Sequence, residues 1–272
     1  MKITEIIPEE EYVTCERIMN ICRNVGVPYM KTESVKYRNH PSLITNRGWE
    51  DSYELYDLHQ TPAIATGYSD YDVGSDEMDV VTLPTLKAWF ANNINMRHPS
   101  LVAVPLGVPI EKYQPVQGNT RRLYDVSKQR TDKREDKLAY MNFKLDTFYE
   151  ERKFVQDTFS NEDWVTTGTV DISEEGHRKY LENIRDHKFC FSPRGNGVDC
   201  HRIYECLYLG TIPIVKRAMA LEQFSNLPIL FIDRWSDVTP ELLEATWKEY
   251  VDKEWDMSQV LVSYWNNVIG SV

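Results

Sequence analysis

The sequence lacks any run of about 18 apolar residues, the length a membrane-crossing helix requires. Its opening stretch, MKITEIIPEEEYVTCERIMN, carries acids where a cleaved leader would need an apolar centre. Both absences predict a soluble, cytoplasmic chain with no membrane insertion. Cysteine is scarce: the 5 residues, at 15, 22, 190, 200 and 206, are odd in number and contain no CxxC pair. That excludes a disulfide framework and a structural zinc site, and predicts reduced thiols. The 6 histidines likewise show no metal-ligand spacing. Positive charge is short, with 31 Lys and Arg against 42 Asp and Glu and a net charge of -11. Broad binding to nucleic acid is thereby excluded, because phosphate backbones are held by clustered cations; a local basic pocket for one anionic ligand is not. No repeat or low-complexity tract is present.

What remains is an ordinary globular composition, 42% hydrophobic and 27% charged, over 272 residues. That length suits two halves, each of about 130 residues and each large enough for its own core. In the first half, 12–25 has helical apolar spacing, 63–66 and 80–83 read as short strands, 84–92 as a helix with proline in its first turn, and 101–106 as another strand. A polar segment over 114–136, containing YDVSKQRTDKRED, is the most linker-like stretch and places the boundary there. The expected units are therefore 1–125, 126–257 and a terminal helical piece, 258–272.

The second half alternates more regularly. Strands are expected at 138–143, 164–167, 188–192, 212–215 and 229–232, with helices at 149–159 and 174–186 between the first three, and a last helix at 258–268. That order predicts right-handed βαβ crossovers and a parallel sheet, whose ligands bind beyond the carboxyl ends of the strands. The loops after Phe143 and Ser192 would open at that edge.

The most informative stretch is FCFSPRGNGVDCHRIYECLYLGTIPIV, 189–215, which reads as strand, glycine-rich loop, polar helix and strand. Gly195 and Gly197 let the backbone approach a ligand, Asp199 is a candidate helix cap and Gly210 a candidate stop. A helix start offers free N–H groups and a positive dipole end to a phosphate, and Arg194 and Arg202 add cations beside it. Arg202 and Glu205 share one helical face, which suits a phosphate contact next to a hydroxyl contact and equally describes a surface ion pair. The loop is not a dinucleotide fingerprint, since the third glycine of GxGxxG would fall on Cys200, nor a P-loop, since no GK[ST] follows.

PRGNGVDCHRIYECLYLGTIPIV closely resembles the C-terminal signature of exostosin-like glycosyltransferases, in which a Pro-Arg-Gly turn precedes a helix bearing Arg and Glu, then Gly-x-x-Pro and an apolar strand. LPILFIDRWSDVT at 227–239 resembles that family's continuation, and ATGYSDYD at 65–72 and KAWFANNINMRHPSLVAVPLGVP at 87–109 resemble its small soluble members. The resemblance implies an α/β fold of two Rossmann-like domains facing across a cleft, a compact GT-B architecture whose terminal helix packs back on the first domain. It implies transfer of a sugar from a nucleoside-diphosphate donor, a UDP-sugar by analogy, to a glycan hydroxyl. Donor-binding candidates are then Arg194, Gly195, Asn196, Gly197, Arg202 and Glu205, with His201 and Lys144 behind them.

An inverting transfer needs a base for the acceptor hydroxyl. Asp70 in SDYD, just after the strand at 63–66, matches a Ser-Asp pair of the relatives and is preferred; Asp72 is next and Asp76 third. The same acids also describe an exposed turn, and a retaining transfer would need no base. Asp70-Tyr71-Asp72 is in addition a DxD sequence, which would suit manganese. The arginine-rich loop already supplies cations for the diphosphate, so the expectation is no essential metal or cofactor. Two other readings stay open: a noncatalytic nucleotide-sugar or glycan-binding module, and a metal-dependent transferase or phosphotransferase built on Asp70 and Asp72.

Overall fold

The computed structural model describes residues 1–38, 42–47, 53–129 and 136–272. The charged core of the expected linker, 130–135, lies outside the described residues. In chain order the first half forms α1 (Cys15–Val25), β1 (Tyr29–Met30), α2 (Thr32–Lys36), β2 (Leu43–Arg47), β3 (Tyr53–Asp57), β4 (Ala63–Thr66), α3 (Met78–Val81), β5 (Ala88–Ala91), β6 (Leu101–Ala103) and α4 (Thr120–Ser127). There follow β7 (Ala139–Met141), α5 (Tyr149–Phe159), β8 (Val165–Thr167), α6 (Glu174–Asp186), β9 (Phe189–Phe191), α7 (His201–Tyr208), β10 (Ile212–Lys216), α8 (Met219–Glu222), β11 (Leu230–Ile232), α9 (Pro240–Tyr250) and α10 (Val262–Gly270).

The strands assemble into two parallel sheets, ordered β1-β4-β5-β6 and β11-β10-β9-β7-β8, with β2 and β3 as a separate antiparallel pair. The molecule is thus a mixed α/β protein. Parallel strands need cover on both faces, and β4, β5, β7 and β9 are buried at every position. Local chemistry sets the element ends. Thr14 accepts from the Arg17 amide to start α1, and Gly26, at φ 77, ends it. Ser173 caps α6 in the same way, and Gly210, at φ 69, follows α7.

Two expectations are corrected. The stretch 80–83 was expected as a strand, but Val80 and Val81 belong to the one-turn helix α3, where both are buried while Met78 and Asp79 face outward. The stretch 84–92 was expected as a helix, but it is a turn followed by β5. Trp89, Phe90 and Ala91 are buried between β4 and β6, and Trp89 donates from its indole to Thr66 at 3.0 Å. A short run that is apolar at every position carries no period, so only its packing decides between helix and strand.

Aromatic and aliphatic side chains of both sheets share one buried cluster, which includes Trp89, Ile94, Tyr140, Cys190, Ile203 and Tyr208. Each such side chain contributes about 1.5–3 kcal/mol by leaving water. Helix α10 lies against α1: Trp265 and Ile269 sit in a cluster with Ile18, Met19 and Cys22. Tyr12 also bridges Leu261. Among the described residues, no helix is long and apolar enough to cross a membrane. The loops leaving the carboxyl ends of β4, β5, β7 and β9 meet at one place.

Candidate active site

The meeting point is an open cavity of about 780 Å³ lined from both halves, by Asp70, Leu106 and Tyr113 on one side and by Phe143, Lys144, Arg152 and the 195–202 segment on the other. Its volume suits a nucleotide-sized ligand. Gly195, Asn196, Gly197, His201, Arg202, Glu205 and Lys144 all line it, so the structure brings seven of the eight donor-binding candidates together with Asp70. Gly197 has a steric reason to be glycine, because a Cβ there would lie 3.1 Å from the Asn93 amide nitrogen and 3.4 Å from the Asp70 Cα.

Arg152 was not selected from the sequence. It sits on the buried face of α5 with Val155 and Phe159, 6% exposed, where an arginine at helical spacing among apolar residues is the one signal of its role. Its guanidinium donates to the carbonyl of Arg194 at 2.8 Å and to that of Lys144 at 2.6 Å, clipping the loops after β9 and β7 together. Burial, followed by the charge of nearby Arg202, lowers its pKa to about 10, so it stays cationic at neutral pH under strain from a like charge. Arg202 in turn holds its guanidinium 5.7 Å from the Phe143 ring, and its Nε is buried without a hydrogen-bond partner. Burial of Arg202 is outweighed by Tyr180, Cys200, Cys190 and Glu205 around it, which raise its pKa, so a buried and a half-buried guanidinium stand beside the glycine-rich loop in a site that can take an anion.

The Glu205 carboxylate accepts from the Tyr180 hydroxyl at 2.7 Å, and burial raises its pKa. His201 lies with Nδ1 2.7 Å from the Gly107 carbonyl, and burial lowers its pKa. The imidazole is therefore neutral, with the proton on Nδ1 and the lone pair on Nε2. The loop arginine is placed differently. Arg194 stacks 4.4 Å over the Phe148 ring and donates to its own loop carbonyls at Gly195 and Asn196, so it braces the loop and lines a second cavity rather than the first.

That second cavity, of about 710 Å³, is lined by Tyr71, Asp72, Asn93 and Asn95 among others, and shares Asp70 and Asn196 with the first. Asp70 stands at the partition, accepting from the Asn196 amide at 3.3 Å. Asp72 is engaged by Lys36 at 3.5 Å and Asn95 at 3.1 Å. Asp76 is exposed in a short turn and lines neither cavity.

Asn93 and Asp199 were also unforeseen in their roles. Asn93, at φ 51, follows β5 and donates to the Ser69 carbonyl at 3.2 Å while accepting from the Asp199 amide at 2.8 Å. It straps the Asp70 loop to the glycine-rich loop, and a non-glycine residue held at positive φ is strain that the surroundings must sustain. Asp199 was expected to cap α7, but Cys200 occupies that position and no side chain caps the helix. Asp199 is 3% exposed, and one of its oxygens accepts from the Leu106 amide at 2.8 Å and the Tyr204 hydroxyl at 2.7 Å. Burial pushes its pKa up to about 7.

The fold and the cavity define the class: a mixed α/β protein that gathers cations, backbone amides and carboxylates at the carboxyl edge of parallel strands. Residues 144–269 match the family model described as the RXYLT1 C-terminal domain. The matched segment takes in Arg152, the glycine-rich loop and α7, and supports the resemblance to exostosin-like glycosyltransferases. No curated protein matches the chain.

Proposed function

We propose that this protein moves a sugar from a nucleoside-diphosphate donor, a UDP-sugar by analogy with the family it resembles, to a glycan hydroxyl with inversion and without an essential metal. The architecture proposed is GT-B, with Rossmann-like units at 1–125 and 126–257 across a cleft and 258–272 returning to the first. The pairing of buried Arg152 with half-buried Arg202 beside the amides of Gly195 to Gly197 is the observation that carries this reading. In it the diphosphate lies against those groups and Lys144, Arg194 stiffens the loop, and Glu205 takes the ribose hydroxyls. Asp70 accepts the proton of the acceptor hydroxyl as its oxygen attacks the anomeric carbon. The bond from that carbon to the diphosphate oxygen breaks, and the cations neutralise the departing charge.

A DxD metal site fits poorly, because the Asp72 carboxylate is engaged by Lys36 and Asn95. Turnover is expected to persist in EDTA; loss in EDTA with recovery on adding manganese would reverse the metal-free reading. The wider reading is tested by thermal shift with UDP, GDP and their sugar conjugates, since a ligand at 100 times its Kd adds about 2.7 kcal/mol. One nucleotide series is expected to raise Tm, and Arg202→Ala to weaken it at least tenfold. No shift from any nucleotide, or a shift that Arg202→Ala leaves intact, refutes it. Donor binding with no hydrolysis or transfer in any condition would favour a binding module.

A further inference from the structure

The main cavity is graded along its length. Arg152, Arg202 and Lys144 gather at the end formed by the loops after β7 and β9. The wall near Leu106 and Gly107 carries instead two hydrogen-bond acceptors from consecutive turns of chain, the neutral Nε2 of His201 and the carboxyl of Asp199. Asp199 spends Oδ2 on Leu106 and Tyr204; the Cys200 amide also favours the carboxylate, but Oδ1 is buried and makes no hydrogen bond of full geometry. A buried carboxyl oxygen left unpaired costs free energy that a ligand hydroxyl would recover. The same wall would repel a phosphate, since it offers acceptors and no cation.

Resting on the donor-site reading above, we infer that Asp199 is a specificity-determining residue for the transferred sugar, its Oδ1 accepting a hydrogen bond from a hydroxyl of that sugar. The donor is thereby oriented. Its diphosphate points to Arg152 and Arg202, and its sugar ring lies between Asp199, His201 and Asp70, where the acceptor can be deprotonated. A hydroxyl-bearing group supplies the donors that this wall lacks. Asn93 fixes the arrangement, because the same side chain that holds the Asp199 amide also holds the Asp70 loop.

The test compares a parent diphosphate with its sugar conjugate, using UDP with UDP-glucose and GDP with GDP-mannose, in wild type and Asp199→Asn at pH 8, above the value of about 7 at which the buried carboxyl loses its proton, so that Oδ1 accepts. Asparagine keeps an acceptor for Leu106 and Tyr204 but turns the free position into a donor. The variant is expected to bind the parent diphosphate within twofold of wild type and the conjugate about tenfold more weakly, with donor hydrolysis falling in step. Equal affinity changes for both ligands, or none, would overturn the role of Asp199 while leaving the diphosphate site standing. If neither diphosphate binds wild type, the donor-site reading itself fails and this inference with it. A crystal structure of wild type with the conjugate decides the point even should the variant not fold. A sugar hydroxyl within about 3 Å of Asp199 Oδ1 supports the assignment, and a sugar seated toward Lys144 refutes it.

Discussion

At the residue scale, the cavity is governed by charges held out of water. The Asp199 carboxyl has an ordinary pKa near 3.8 and is raised to about 7 by burial in the folded chain. Between those values the native protein keeps a proton on Asp199 that the unfolded chain has released, so the contribution of this group to stability falls as pH rises through roughly 4 to 7 and levels off above it. Every tenfold gain in proton affinity on folding is worth about 1.4 kcal/mol. Asp199→Asn removes this dependence while preserving the acceptor for Leu106 and Tyr204. Urea unfolding is expected to show the variant at least as stable as wild type at pH 8, with its advantage gone by pH 4.5. A wild type whose stability rises with pH relative to the variant would contradict the buried, raised carboxyl. Arg152 shows the complementary case: its cation is tolerated because two loop carbonyls accept from it, and an anionic ligand would ease its conflict with Arg202.

At the element scale, the decisive feature is the close approach of two loops from different sheets. A Cβ on Gly197 would lie 3.1 Å from the Asn93 side-chain nitrogen and 3.4 Å from the Asp70 Cα, so it forces the Asn93 side chain to shift by a few tenths of an ångström. Gly197→Ala is expected to cost no more than about 1 kcal/mol in stability, because the Asn93 amide can give way. The same displacement moves Asp70 away from the glycine-rich loop, so kcat should fall at least tenfold while donor affinity changes by less than threefold. Equal losses in both parameters would mean that the loop, rather than its spacing from Asp70, had been damaged. The helices behave more simply. Val155 and Phe159 on α5, and Leu181 and Ile184 on α6, lie where their spacing in the sequence puts them, on the buried faces.

At the scale of the whole molecule, the two sheets are tied by a few buried polar contacts within a common core. The Tyr208 hydroxyl on α7 accepts from the Val13 amide at 2.7 Å and donates to the Val260 carbonyl at 2.8 Å, and its ring stacks on Tyr12 with centroids 4.0 Å apart. One oxygen thus joins α7, the segment before α1 and the segment before α10. Tyr208→Phe keeps the stack but strands a buried N–H and a buried carbonyl, a loss of about 2–4 kcal/mol if each costs about 1–2. Calorimetry is expected to show a single transition at lower temperature. Two separated transitions in wild type would show instead that the halves unfold independently.

The segments with strong local signals are legible in the chain alone. The helices at 149–159 and 174–186 and the strands of the second sheet follow from apolar spacing, caps and β-favouring runs, and the PRGNG turn with Arg202 and Glu205 marked one wall of the cavity and the resemblance to exostosin-like glycosyltransferases. Pattern could not settle β5 against a helix, because Trp89 and Phe90 are apolar throughout their run and their state is fixed by β4 and β6 on either side. Which polar groups face one another emerges from long-range packing. It turned Arg194 onto Phe148, placed Arg152 between two loops, and buried Asp199 against Leu106, 93 positions away in the chain. Charge and hydrogen-bonding capacity are written residue by residue, but whether they meet water, a partner or an empty space depends on chain segments that local sequence does not bring together.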